Sequence, residues 1–142
     1  IMENKRTFIV PYDFTEASEK ALNQAIEISK HENAKITLLH VVAKESEIHT
    51  NELKIKDIIS SFNSTTEINS QVIKGSIFTT IGEVAEKNDA SAIIMGTHGA
   101  KGMQKVFGSF AMKVIISTGV PFMVLQKQTP IKEFNNICLS ID

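Results

Sequence analysis

The sequence predicts an α/β domain built on a parallel β-sheet. Short apolar runs rich in β-branched residues alternate with longer segments of helical spacing, which is typical of βαβ units. One of these runs, residues 36–42, is almost continuously apolar, as expected for a strand that helices cover on both faces. A chain of 142 residues is long enough for one such core.

Five strands and four helices are predicted along the chain. Thr15 is expected to cap the first helix, because its hydroxyl can accept a hydrogen bond from a free N–H of the first turn. The polar third strand is predicted at the sheet edge. The strands are predicted at residues 8–10, 36–42, 66–73, 92–95 and 121–125, and the helices after Thr15, around residues 55–62 and 77–85, and after Ser109.

The end of the chain resembles its beginning. Phe8–Asp13 aligns without gaps on Ile137–Asp142, as three apolar residues, two variable ones and an aspartate. We therefore expect a domain at residues 2–127, a linker at 128–135, and at 136–142 the first strand of a second, truncated copy. The alternative is a C-terminal edge strand or an ordered tail.

Composition excludes several partner classes. A formal net charge of -1 gives no general attraction to nucleic acid or to an anionic membrane. The single cysteine, Cys138, cannot form an internal disulfide, and neither a signal peptide nor a membrane-spanning apolar run is present. We expect a cytoplasmic protein that binds neither nucleic acid nor membrane.

A glycine-rich segment follows the fourth predicted strand. Four of the seven glycines lie between residues 96 and 108, and Ser109 then begins a helix. Glycines let backbone N–H groups approach an anion, and a helix N-terminus favours phosphate. A phosphate cradle is one interpretation and a plain turn is the other. The segment matches neither a P-loop nor a dinucleotide-binding fingerprint.

Other polar residues give weaker signals. Asp13 can bind a base or ribose, or only cap the turn into the first helix, and the residues alone favour the cap. His98 has no partner set for acid–base catalysis, and His40 is interpreted as a core histidine. No metal-ligand spacing and no paired carboxylates are present, so we expect a binding module rather than an enzyme.

Several motifs together resemble the universal stress protein family. They are Pro11-Tyr12-Asp13-Phe14-Thr15, Leu38-Leu39-His40-Val41, Met95-Gly96-Thr97-His98-Gly99, the later Gly108-Ser109, and Val120 to Leu125. The resemblance implies a Rossmann-like, adenine nucleotide alpha hydrolase-like sheet of five parallel strands in the order 3-2-1-4-5, with helices on both faces. It also implies pairing through the fifth strand, with a second copy or a second domain.

One branch of that family binds ATP, with Mg²⁺ accompanying the nucleotide. The resemblance implies that Asp13 and Val41 surround adenine and ribose and that the glycine loop holds the phosphates. The implied nucleotide site comprises Pro11, Tyr12, Asp13, Val41, Met95, Gly96, His98, Gly99, Gly108, Ser109 and Phe110. The loop is one residue shorter than the family pattern between Gly99 and Gly108. A dimerising scaffold without nucleotide and a very slow ATPase are therefore the alternatives.

Overall fold

Strands and helices alternate in the computed structural model, which describes residues 5–62, 65–96 and 118–125. The strands are β1 (Arg6–Pro11), β2 (Ala34–Val42), β3 (Ile68–Lys74), β4 (Ala92–Gly96) and β5 (Phe122–Leu125). The α-helices within these ranges are α1 (Glu16–Glu32), α2 (Ile48–Ser61) and α3 (Ile77–Lys87), and a 3₁₀ turn at Glu45–Glu47 precedes α2. The α/β class predicted from the alternating pattern is confirmed.

The five strands form one parallel sheet in the order β3-β2-β1-β4-β5. β1 lies at its centre and pairs with β2 from Arg6↔Ala34 to Pro11↔Leu39. From β1 the chain moves outward to β3, and it then returns to the other side of β1 as β4. This reversal opens a crevice at the carboxyl ends of the strands. The predicted strand order and the edge position of β3 are confirmed.

Helices cover both faces of the sheet and bury two apolar layers. On one face, α1 and α2 contribute Leu22 and Ile55, which pack with Leu38 and Ile94 of the strands. On the other face, α3 packs its buried residues against the alternate positions of the same strands: Ile81, Val84 and Ala85 against Ile9, Leu39, Ile93 and Met95. Burial on both faces explains why the central strands are apolar without alternation.

Both ends of α1 are defined by capping residues. Thr15 is the N-cap, and its hydroxyl accepts a hydrogen bond from the Ser18 N–H, as the sequence predicts. At the other end Asn33 adopts a left-handed conformation with φ 53, which ends the helix and starts β2. The first turn of α1 is therefore fixed at the carboxyl edge of the sheet, directly after β1.

Three predictions lie outside the described residues. They are the glycine loop beyond Gly96, the helix after Ser109, and the strand-like tail at 136–142. No α-helix in the described ranges combines the length and the apolarity that crossing a membrane requires.

Candidate functional site

A pocket lies where β1, β2 and β4 end. Six of the residues implied by the resemblance line it: Pro11, Tyr12, Asp13, Val41, Met95 and Gly96. The pocket and its open mouth contain about 390 Å³ of empty space. The other five predicted residues, His98, Gly99, Gly108, Ser109 and Phe110, lie outside the described part of the chain. Asp13 and Val41, predicted to surround adenine and ribose, thus lie at one pocket with Gly96 of the predicted phosphate loop, and the binding roles of all these residues stay predictions.

The backbone of β2 continues past the end of β1. The register between the two strands stops at Pro11↔Leu39, and one further bond runs from the Tyr12 N–H to the Leu39 carbonyl at 2.8 Å. The backbone groups of alternate residues in a strand face the same neighbouring strand. Because Leu39 bonds towards β1, the N–H and C=O of Val41 also face the β1 side, beyond the last residue of β1. Val41 has a register partner in β3, Ile73, and none in β1. This leaves a donor and an acceptor side by side at the pocket.

Asp13 begins the turn that redirects the chain from β1 into α1. Its Oδ1 accepts hydrogen bonds from both the backbone N–H and the hydroxyl of Thr15, while its own N–H donates to Ser18 Oγ at 3.3 Å. The cap interpretation of Asp13 is therefore correct for Oδ1. Asp13 is exposed, and the hydrogen bonds described for it use Oδ1 alone, so Oδ2 can accept from a ligand.

Gly96 allows α1 to pack directly against the end of β4. A Cβ atom at this position would lie 2.1 Å from the Ala17 carbonyl oxygen and 3.3 Å from the Ala21 Cβ. A Cβ does not approach a backbone oxygen to 2.1 Å, so any side chain here would displace the first turns of α1. The glycine was predicted for close approach to an anion, and the structure gives it a packing role at the same place.

Four further residues line the pocket that the sequence did not assign to it: Ser18, Leu39, His40 and Ile77. His40, interpreted from the sequence as a satisfied core histidine, has its Nδ1 hydrogen-bonded to the Tyr12 carbonyl, but it is half-buried and also lines the pocket. Ser18 and Ile77 lie in the first turns of helices that start at the carboxyl edge, which is the signal that could have found them. Ile77 is 41% exposed.

An aromatic cluster borders the pocket beside His40. Phe14 contacts the Tyr12 ring edge-on at 5.3 Å between centroids and the His40 ring at 4.9 Å. The Lys54 ammonium of α2 lies 5.7 Å from the Phe14 centroid. Phe14 has φ 65, a left-handed conformation that costs a bulky residue about 1–3 kcal/mol. The cluster holds the turn in this conformation against that cost.

Tyr12 gives the site a measurable pH dependence. Burial raises the pKa of its phenol above 10.0, and the nearby carboxylates of Glu19 and Asp13 raise it further. The unfolded chain therefore loses this proton first, so stability is fully present below pH 10 and is lost as the pH rises above it. The free energy of unfolding should fall by at most about 1.4 kcal/mol per pH unit in that range.

The test uses the fact that Tyr12 is the only tyrosine of the chain. The ultraviolet absorbance of tyrosinate should rise later in the folded protein than in the urea-unfolded protein. Tyr12→Phe should remove this part of the alkaline loss of stability. Identical tyrosinate titrations in the two states would contradict the burial argument.

Metal chemistry has no support in the described residues. No group of three or more histidine, cysteine, aspartate or glutamate side chains there is arranged to hold a metal ion. The residues that line the pocket carry backbone amides, one carboxylate, two hydroxyls and one imidazole, a set suited to binding a polar flat molecule.

Comparison with known proteins decides the family. A sequence model of the universal stress protein family matches residues 5–126. The chain belongs to this family. Universal stress protein MJ0531 of Methanocaldococcus jannaschii is 28% identical over 142 aligned positions, which cover 86% of this chain and 82% of that protein.

Solved structures of universal stress proteins share the fold. A universal stress protein in complex with cAMP superposes with a TM-score of 0.67 at 16% identity, covering 89% of this chain and 100% of the other. The universal stress protein from Archaeoglobus fulgidus in complex with dAMP gives a TM-score of 0.64 at 19% identity, covering 87% and 98%. At these identities the likeness establishes the five-stranded α/β architecture.

Proposed function

We propose that this universal stress protein binds an adenine nucleotide, with ATP as the first candidate, in the pocket at the ends of β1, β2 and β4. The observation that carries the proposal is the backbone edge of Val41 at the pocket, which has no partner on the β1 side among the described strands. An adjacent N–H and C=O match the acceptor and donor that adenine presents side by side. Two proteins of the same fold are described in complexes with cAMP and dAMP, which supports this class of ligand.

The side chains around this edge suit a nucleoside. Pro11, Leu39 and Met95 supply apolar surface for the faces of a base, and all three are buried. The Asp13 carboxylate supplies an acceptor for a ribose hydroxyl. The phosphates would extend towards residues 96–109, where Gly96, Gly99, Gly108 and Ser109 are the proposed cradle and His98 and Phe110 its neighbours. Any Mg²⁺ would arrive with the phosphates.

The competing proposal is a scaffold that has lost nucleotide binding. The eight residues between Gly99 and Gly108 make the loop one residue shorter than the family pattern. One residue spans about 3.3–3.6 Å of extended chain, enough to displace a phosphate-binding N–H. Under this proposal the base pocket persists and the affinity for phosphorylated ligands is low.

Calorimetric titration of the folded protein with ATP, AMP and cyclic AMP separates the two proposals. Binding of all three, with ATP tightest, would support a working phosphate cradle. Similar affinity for all three would support a base pocket with a shortened loop. Absence of heat at millimolar ligand would refute nucleotide binding, provided that circular dichroism shows a folded chain.

The outer edge of β5 is the proposed pairing surface. β5 is the last strand on its side of the sheet and pairs with β4 alone among the described strands. We propose that it contacts a second copy or a second domain of the same chain, in the cytoplasm, with no nucleic acid or membrane partner. Analytical ultracentrifugation of the chain tests self-association. If the chain stays monomeric at high protein concentration, pairing with a second copy is refuted, and contact with a second domain of the same chain is the form of the proposal that remains.

A further inference from the structure

We propose that His40 is a positioning residue that keeps the Val41 edge of β2 open for a ligand. Its imidazole N–H donates a hydrogen bond to the Tyr12 carbonyl oxygen. The Val41 N–H would otherwise donate to this same oxygen. The use of this edge by a nucleotide rests on the proposed function. The opening of the edge itself is a property of the ligand-free protein and is tested separately.

The hydrogen-bond pattern of a parallel ladder identifies the missing bond. The Tyr12 N–H donates to the Leu39 carbonyl, so the next bond of a continuing ladder would run from the Val41 N–H to the Tyr12 carbonyl. The register nevertheless ends at Pro11↔Leu39. The Tyr12 carbonyl oxygen lies 2.7 Å from His40 Nδ1 instead. The imidazole thus takes the place of the next backbone donor at the point where the two strands part.

This contact fixes the protonation of the ring. A carbonyl oxygen only accepts, so Nδ1 must carry the proton, and the neutral ring then has a bare Nε2. The ring plane is held from the side by Phe14, at 4.9 Å between centroids and 71° between planes. Phe14 follows Tyr12 by two residues, so the ring is held by the same turn whose carbonyl it binds.

The position of His40 on β2 makes it suited to this role. Its backbone belongs to the β2–β3 ladder, opposite Val72, and the neighbouring Val41 carries the open edge. Because successive residues of a strand face opposite neighbours, the His40 backbone stays paired with β3 while its side chain reaches the end of β1. A side chain without a donor at this position would leave the Tyr12 carbonyl to the Val41 N–H.

Two variants separate the donor from the bulk of the ring. In His40→Asn the side-chain amide N–H₂ stands close to where Nδ1 was, and it should keep the carbonyl occupied. In His40→Leu the volume is retained and the donor is lost, so the Val41 N–H should pair with Tyr12. Hydrogen exchange of the Val41 amide, measured by NMR without ligand, should slow by about tenfold or more in His40→Leu alone. The Leu39 amide, inside the β1–β2 register, is the internal reference.

A measurement on the unchanged protein keeps the proposal falsifiable if a variant does not fold. At a pH where the imidazole is neutral, its ¹⁵N chemical shifts should report a protonated Nδ1 and a bare Nε2. The opposite tautomer would overturn the proposal, as would equal Val41 exchange in the wild type and His40→Leu. A merely structural hydrogen bond from His40 would give the same tautomer but would leave the exchange of the Val41 amide unchanged in His40→Leu.

Titration of the same proteins with AMP connects the edge to the ligand. We expect His40→Leu to bind AMP about tenfold or more weakly and His40→Asn to bind it nearly as the wild type does. If the exchange of the Val41 amide differs between the wild type and His40→Leu but none of the three proteins binds AMP, the proposed function is refuted and the open edge is established. Equal AMP affinity in all three proteins, despite unequal exchange, would overturn the role of the edge in binding.

Discussion

Gly96→Ala should lower the free energy of unfolding by about 3 kcal/mol, at the upper end of what overpacking usually costs. The added Cβ would lie 2.1 Å from a backbone oxygen of α1 and 2.7 Å from the carbon that bears it. Backbone atoms inside a helix cannot rotate away as a side chain can, so the first turns of α1 must move as a unit. Chemical denaturation followed by circular dichroism measures the loss.

The same substitution should also lower the affinity of the pocket for any ligand, because Gly96 and the start of α1 both border the pocket. Gly119→Ala is the matched control. Gly119 has φ +73, and a Cβ there meets no atom within 4 Å. Its substitution should cost about 1–2 kcal/mol through backbone strain alone, without an effect on the pocket. Equal losses in the two variants would show that the contact with Ala17 is not the cause.

The order of strands and helices could be predicted from sequence because burial on both faces imposes a simple pattern. Runs such as residues 36–42 and 92–95 are apolar throughout, since α1 and α2 cover one face and α3 the other. Thr15 was found because an N-cap needs a hydroxyl at one defined place. Residue spacing alone does not give the strand order 3-2-1-4-5, which followed from the family resemblance.

The pocket was only half predictable, for a physical reason. Asp13 follows β1 and Val41 lies beside the last residue of β2, and parallel strands end at a common edge, so their meeting follows from the fold class. His40 also lies near a strand end, but its apolar neighbours suggested a core residue. Its role depends on a contact with a backbone carbonyl 28 positions away in the sequence. The packing of Gly96 on Ala17 depends in the same way on the angle between α1 and β4, which no local pattern records.

Asp13→Ala should weaken adenine-nucleotide binding by about 10- to 100-fold. A hydrogen bond to a charged group contributes about 1.5–3 kcal/mol, and 1.4 kcal/mol corresponds to a factor of ten in affinity. The described hydrogen bonds of Asp13 use Oδ1, which leaves Oδ2 for a ribose hydroxyl or a base amine. Titration calorimetry with AMP measures the change in affinity. Urea unfolding measures the separate loss of stability that follows from removing the hydrogen bonds between Asp13 Oδ1 and Thr15.

The charge of the ligand makes this test discriminating. Removing a carboxylate beside a phosphorylated ligand reduces repulsion, so electrostatics alone would make Asp13→Ala bind more tightly. Glu16→Ala removes the same charge from the first turn of α1, three residues away and not among the pocket-lining residues. We expect its affinity to be unchanged or slightly higher. A loss confined to Asp13→Ala therefore reports a hydrogen bond, whereas a gain in both variants would show that Asp13 only caps the turn.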